Sequence, residues 1–122
     1  MALAGLERKT DPHLKQLIVE LRKIGLANEA PIWSQVAERL SKPSKNWAHV
    51  NVEKVQDVAG TAVAVVCGKV LSTGQLTQPV QVAAVRFSEN ARKKISEAKG
   101  KTLDLLDVAR KHPTGTGVML VA

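Results

Sequence analysis

Tyrosine is absent from these 122 residues, phenylalanine occurs once (Phe87) and tryptophan twice (Trp33 and Trp47). RNA-recognition sheets and oligonucleotide-binding barrels lay bases on exposed aromatic rings. A chain this poor in rings lacks the means for that mode. Cysteine occurs once, at Cys67. No disulfide can close within the chain, and a reducing compartment is expected. The longest apolar run covers 62–67, far short of the roughly 20 residues a membrane helix needs. The first ten residues hold no apolar stretch like that of a secretory signal. The expectation is a cytoplasmic protein with no membrane partner.

Catalytic constellations are equally scarce. His13, His49 and His112 stand apart, and none lies at metal-ligand spacing from another histidine or from Cys67. Cys67 sits in Ala-Val-Val-Cys-Gly, where a small buried thiol is ordinary. Gly115-Thr116-Gly117 lacks the preceding strand, the lysine and the following helix of a phosphate loop, so it reads as a turn. Asp104 and Asp107 lie three apart, but Asp104 suits the positive end of a helix. No enzyme, cofactor, metal or small-molecule substrate is expected.

Cations are what the chain has in excess: 18 Lys and Arg against 11 acids, for a net charge of +7. That balance favours a polyanionic partner, nucleic acid before anionic membrane. Nine of the basic residues fall in 1–61 and nine in 62–122. The charge is spread over the folded body rather than gathered in a tail. Hydrophobic residues make up 44%, enough for a globular core.

The pattern along the chain predicts α/β structure: a single mixed domain over 1–122, N-terminal amphipathic helices followed by alternating strands and helices. Residues 1–10 read as a basic arm. Asp11 and Pro12 open a helix whose face carries Leu14, Leu17, Ile18, Leu21 and Ile24, with Gly25 as its stop. Pro31 opens a second helix with Ile32, Trp33, Val36, Ala37 and Leu40 on one face, ended by Pro43. Residues 42–50 read as an irregular basic loop, and Asn51 as the cap of a short helix with Val52 and Val55. Gly60 marks a turn. Valine-rich 62–71 reads as a buried strand and 80–87 as a central one, with Val80, Val82 and Ala84 on one face and Gln81, Ala83, Val85 and Phe87 on the other. Ser88 caps a helix through Lys99 with Gly100 as its stop. Thr102 caps another, with Leu103, Leu106, Ala109 and the Arg110 stem on its core side, closed by Pro113. Residues 114–117 turn into a final strand over 118–121.

Several of these segments resemble one family. Trp33-Ser-Gln-Val-Ala-Glu-Arg-Leu40, then Lys42-Pro43, then Val50-Asn51-Val52 are similar to a stretch of the large-subunit ribosomal protein family L-eighteen-e of archaea and eukaryotes. Gly68-Lys69-Val70-Leu71-Ser72-Thr73-Gly74, Val82-Ala83-Ala84, Phe87-Ser88, Ala91 and Lys94-Ile95 match in the same order, as does the opening Lys9-Thr10-Asp11-Pro12 with Leu14 and Leu17-Ile18. The compact length suits the archaeal branch. The resemblance implies a mixed α/β fold shared with bacterial large-subunit protein fifteen. It also implies a structural role in the large subunit, with large-subunit ribosomal RNA and neighbouring ribosomal proteins as partners. Where the family often carries adjacent basic residues after Lys42-Pro43, this chain has Ser44-Lys45-Asn46.

Charge clustering and the resemblance together nominate RNA contacts. Lys9 lies in the arm, Lys42, Lys45, Asn46 and His49 in the basic loop, Lys69 and Arg86 on or beside strands, and Arg92 and Lys93 early in a helix with Lys94. Two other classes compete. The two N-terminal helices could form a DNA-binding helix-turn-helix, although the second offers Ser34, Gln35, Glu38 and Arg39, a poor basic reading surface. An enzyme would have to use Cys67, His49 or Asp107.

Overall fold

Helix α1 (Pro12–Ala27) starts with proline at its first position and α2 (Pro31–Ser41) does the same, where the missing N–H costs no hydrogen bond. The computed structural model describes residues 12–42, 47–60 and 62–121. The expected cap Asp11, the stop Pro43 and the arm 1–10 lie outside them.

The chain divides into two compact units, Met1–Trp47 with Leu106–Thr116, and Ala48–Leu105 with Gly117–Ala122. The first holds α1, α2 and nearly all of α5 (Leu105–Lys111). Ile18, Leu21, Trp33, Val36, Ala37 and Leu40 are wholly buried, the large aliphatic ones each worth about 1.5–3 kcal/mol over an exposed position. Gly25 is not the stop of α1. The helix runs on to Ala27, and Glu29 leaves it with φ +50. Gly25 is instead where α1 meets α2: a Cβ there would lie 2.4 Å from Ser34 Oγ and 2.7 Å from Ser34 N.

The second unit is built on a parallel sheet. Among the described residues it holds β1 (Ala48–Asn51), β2 (Val63–Leu71), β3 (Gln81–Phe87), β4 (Lys101–Leu103) and β5 (Val118–Val121), ordered β1-β2-β3-β4. Strand β5 pairs with the first half of β2 while β1 pairs with the second half. Helices α3 (Val52–Ala59) and α4 (Glu89–Glu97) cover one face. Their Val52, Val55, Ala91 and Ile95 join Val50, Ala64, Val66, Val70, Val82 and Ala84 in one buried cluster.

Two caps fall as expected: Asn51 Oδ1 accepts the Lys54 N–H at 2.8 Å, and Ser88 Oγ the Ala91 N–H at 3.1 Å. Gly60 ends α3 with φ +57, and 114–117 turns into β5. Strand β3 is interior, between β2 and β4.

Four further expectations are corrected. Part of the basic loop, Ala48–Asn51, is strand β1. It lies against Gly68, where a Cβ would sit 2.1 Å from the Ala48 carbonyl oxygen. Thr102 does not cap a helix but lies in β4. Helix α5 begins at Leu105 and buries Leu105, Val108 and Ala109, leaving Leu106 half-buried and Arg110 exposed. Helix α4 ends at Glu97, because Lys99 takes φ +64 and the Gly100 N–H returns to Ile95 O. Gly100 instead lets the chain pass Val80, whose carbonyl oxygen a Cβ would meet at 2.3 Å. Phe87 packs on the same core as Val82 and Ala84 rather than on the opposite face. A register shift between Val66 and Lys69 breaks the alternation there.

Candidate nucleic-acid interface

At its carboxyl end the sheet aligns two cations and a histidine. His49 of β1 is in register with Lys69 of β2, and Lys69 with Arg86 of β3. The next row along, Val50, Val70 and Phe87, faces the core under α3 and α4. Side chains alternate along a strand, so the row of His49, Lys69 and Arg86 faces the other way. The exposures agree: His49 and Arg86 are exposed and Lys69 is half-buried. Neighbouring strands lie about 4.8 Å apart, which sets the spacing of the three side chains. Among the described residues none of the three lies within salt-bridge distance of an acid. Three donor groups in water without an anion of their own suit a run of anionic oxygens.

The register shift that moves Phe87 also creates this row. Between Val66 and Lys69 strand β2 carries one residue more than β3 does between Ala84 and Arg86. Strand β2 keeps its alternation from Val66 to Val70, while β3 reaches the core again at Phe87, three residues after Ala84, which leaves Arg86 off the core face.

The helix after β3 adds two more nominated residues. Arg92 stacks its guanidinium over the Phe87 ring, 5.0 Å from the centroid. Lys93 is exposed. A basic residue early in a helix suggests an anion, because the dipole opposes it. Here the dipole is met by the Ser88 cap and by Glu89 in the first turn, and Phe87 provides Arg92 with a seat. Lys94 serves the fold: its Nζ donates to the carbonyls of Ser72 at 2.6 Å and Gly74 at 2.7 Å.

The remaining nominated residues do not join this group. Lys42 belongs to the other unit, where it ends α2 in extended backbone (φ −76, ψ 161) and is exposed. Its carbonyl accepts the Trp47 Nε1–H at 3.1 Å. Lys9, Lys45 and Asn46 lie outside the described residues. Helix α2, the one a helix-turn-helix would send into DNA, exposes Pro31 and Gln35 and half-exposes Ser34, Glu38 and Arg39. That surface is not the cationic one that phosphate contact needs. Cys67 is buried at 2% exposure, as packing requires. His112 follows the last turn of α5. No helix among the described residues is long and apolar enough to cross a membrane.

Reasoning from sequence missed Phe87 as the seat of Arg92, and it missed the row as a row. The five-residue spacing from Phe87, just before the Ser88 cap, to Arg92 in the first turns of the helix was a usable signal for the first. Nothing local signals the second, since His49, Lys69 and Arg86 are brought together by strand pairing alone.

The chain matches the model of a family described as ribosomal protein 60S L18 and 50S L18e over residues 6–122. It is 45% identical over 115 residues to the large ribosomal subunit protein eL18 of Archaeoglobus fulgidus, covering 93% of this chain and 98% of that one. It is 40% identical over 114 residues to the eL18 protein of Methanoregula boonei, covering 93% and 94%. To that of Pyrobaculum aerophilum it is 43% identical over 113 residues, covering 92% and 93%.

Proposed function

The chain belongs to the family of ribosomal proteins 60S L18 and 50S L18e, and from that premise we propose that it holds large-subunit ribosomal RNA through Lys and Arg contacts to phosphate. It is a structural constituent of the large ribosomal subunit, and its place is the cytoplasm. The observation that carries the RNA reading is the row of exposed His49, half-buried Lys69 and exposed Arg86, which has no acid within salt-bridge distance among the described residues.

The mechanism is electrostatic and geometric. Each cation that neutralises a phosphate releases condensed counterions, and it lets RNA segments approach that would otherwise repel. The sheet supplies the rigid spacing. Arg92 and Lys93 on α4, Lys42 at the end of α2, and Lys9, Lys45 and Asn46 are proposed as further RNA contacts, each separate from the row. Neighbouring large-subunit proteins are further partners. No catalytic step, cofactor, metal or small-molecule substrate enters. A pocket-like hollow in the sheet unit, of about 380 Å³, is lined by Gly74, Gln75, Leu76, Thr77, Lys94, Glu97 and Ala98. Its lysine is already committed to the Ser72 and Gly74 carbonyls.

Sedimentation of native cell extract through a sucrose gradient, at moderate and then high salt, tests the reading. Travel with the large subunit through the high-salt wash supports it. A protein left at the top of the gradient in moderate salt overturns it.

A further inference from the structure

Resting on that reading, we propose that the row His49–Lys69–Arg86 takes successive phosphates of one strand of an RNA duplex, which crosses the sheet from β1 to β3. The contact follows backbone geometry and reads no base.

Three observations carry this. The row runs perpendicular to the strands, because its members are register partners on three adjacent strands. A backbone following it must therefore cross the sheet rather than run along it. Second, the spacing is held by a hydrogen-bonded ladder and by the close approach of Gly68 to Ala48. A row fixed before binding suits a partner whose phosphates are also fixed, as they are in a duplex and are not in a flexible single strand. Third, rings near the row offer base stacking little: Trp47, two residues before His49, is half-buried and gives its Nε1–H to the Lys42 carbonyl. Phe87 is the one phenyl or indole ring in this unit. It packs on the core, with Arg92 over its face. The remaining planar group is His49 itself, and binding to single strands reports on whether it stacks. The acids of the adjoining helices leave the row to a polyanion: Glu53 and Asp57 stand on α3, and Glu89 and Glu97 on α4, which cover the opposite face. Glu53 Oε2 is engaged by the Gln75 N–H at 3.2 Å.

The test uses the full chain and fluorescence anisotropy. The probes are an RNA duplex of about 16 base pairs, an oligouridine of equal phosphate count and a DNA duplex of the same sequence, from about 50 to about 200 mM salt. The RNA duplex is expected to bind about ten-fold or more tightly than either of the others. Changing Lys69→Gln and Arg86→Gln together is expected to lower the slope of log K against log salt by about two. Lys69→Arg with Arg86→Lys keeps the slope. The charge-matched pair Lys99→Gln and Lys101→Gln, at the amino end of the sheet, lowers it by less than about one. Circular dichroism checks that each variant folds. Oligouridine or DNA binding as tightly as the RNA duplex overturns the proposal, as does a slope that the row variant leaves unchanged or that both pairs lower equally. Should the protein still sediment with the large subunit, the ribosomal reading stands without the row. Should it not, the reading itself fails.

Discussion

The indole N–H of Trp33, on α2, donates to the backbone carbonyl of His112, 79 residues further along the chain, at 2.8 Å. That carbonyl belongs to the residue after the last turn of α5, where helix carbonyls have no partner within the helix. The tryptophan is wholly buried. One side chain therefore fills the core and also closes a helix end. Trp33→Phe is expected to cost about 1–3 kcal/mol, most of it from the smaller ring, since the His112 carbonyl keeps the Gly115 N–H at 2.9 Å. A denaturant titration checks this. A loss under about 0.5 kcal/mol would mean that the hydrogen bond and the volume are both dispensable.

Gly25 reverses a usual sign. Glycine to alanine inside a helix ordinarily stabilises by about 1 kcal/mol. Here the new methyl would press on Ser34 Oγ at 2.4 Å and on the Ser34 backbone nitrogen at 2.7 Å. The hydroxyl can rotate away, but the nitrogen moves only if α2 moves. Gly25→Ala is expected to lower the midpoint of thermal unfolding, and Gly25→Ala with Ser34→Ala to recover little of it.

These two residues mark how far the sequence was legible. Pro31, Asn51 and Ser88 announce helix starts because capping is decided within four residues. The apolar face of α2 reads correctly because its 3.6 period is also local, and valine-rich β2 and β3 stand out by composition. The stops of α1 and α4 are misread because glycine has two uses, left-handed backbone and close approach. At Gly25 and Gly100 the second applies, and it depends on a distant neighbour. Strands β1 and β4, of four and three residues, are too short for alternation to show. They exist because β2 and β3 offer edges to pair with. The row of His49, Lys69 and Arg86 was legible as separate residues only, since its register rests on one extra residue in β2.

Between β2 and β3 the chain returns through 72–80 without a helix, although the two strands are parallel neighbours. Gln56 on α3 holds this crossover. Its Oε1 accepts the Thr77 N–H at 2.7 Å, the Gln78 N–H at 3.1 Å and the Thr77 hydroxyl at 3.3 Å. Gln56→Leu is expected to cost about 1 kcal/mol, because these exposed donors can turn to water. Its clearer signature is faster amide exchange at Thr77 and Gln78. Gln56→Glu keeps an acceptor oxygen and should keep their protection. Unchanged exchange in Gln56→Leu would show that the crossover is held by its other contacts.

Adjacent lysines on α4 should separate folding from binding. Lys94 is half-buried and gives its ammonium to two carbonyls of the crossover, Ser72 and Gly74, while Lys93 is exposed. A hydrogen bond from a charged donor contributes about 1.5–3 kcal/mol, and partial exposure places this pair of bonds toward the low end. Lys94→Gln is therefore expected to lower stability by about 1–2 kcal/mol. RNA affinity should change little beyond what one distant charge contributes. Lys93→Gln should leave the unfolding midpoint in place and lower the salt slope of RNA binding by about one. Chemical denaturation and anisotropy on the same two variants decide it. If Lys93→Gln leaves the slope untouched, the RNA contact ends at the sheet and does not extend along α4. If Lys94→Gln weakens binding while the fold keeps its stability, its ammonium serves RNA rather than the two carbonyls.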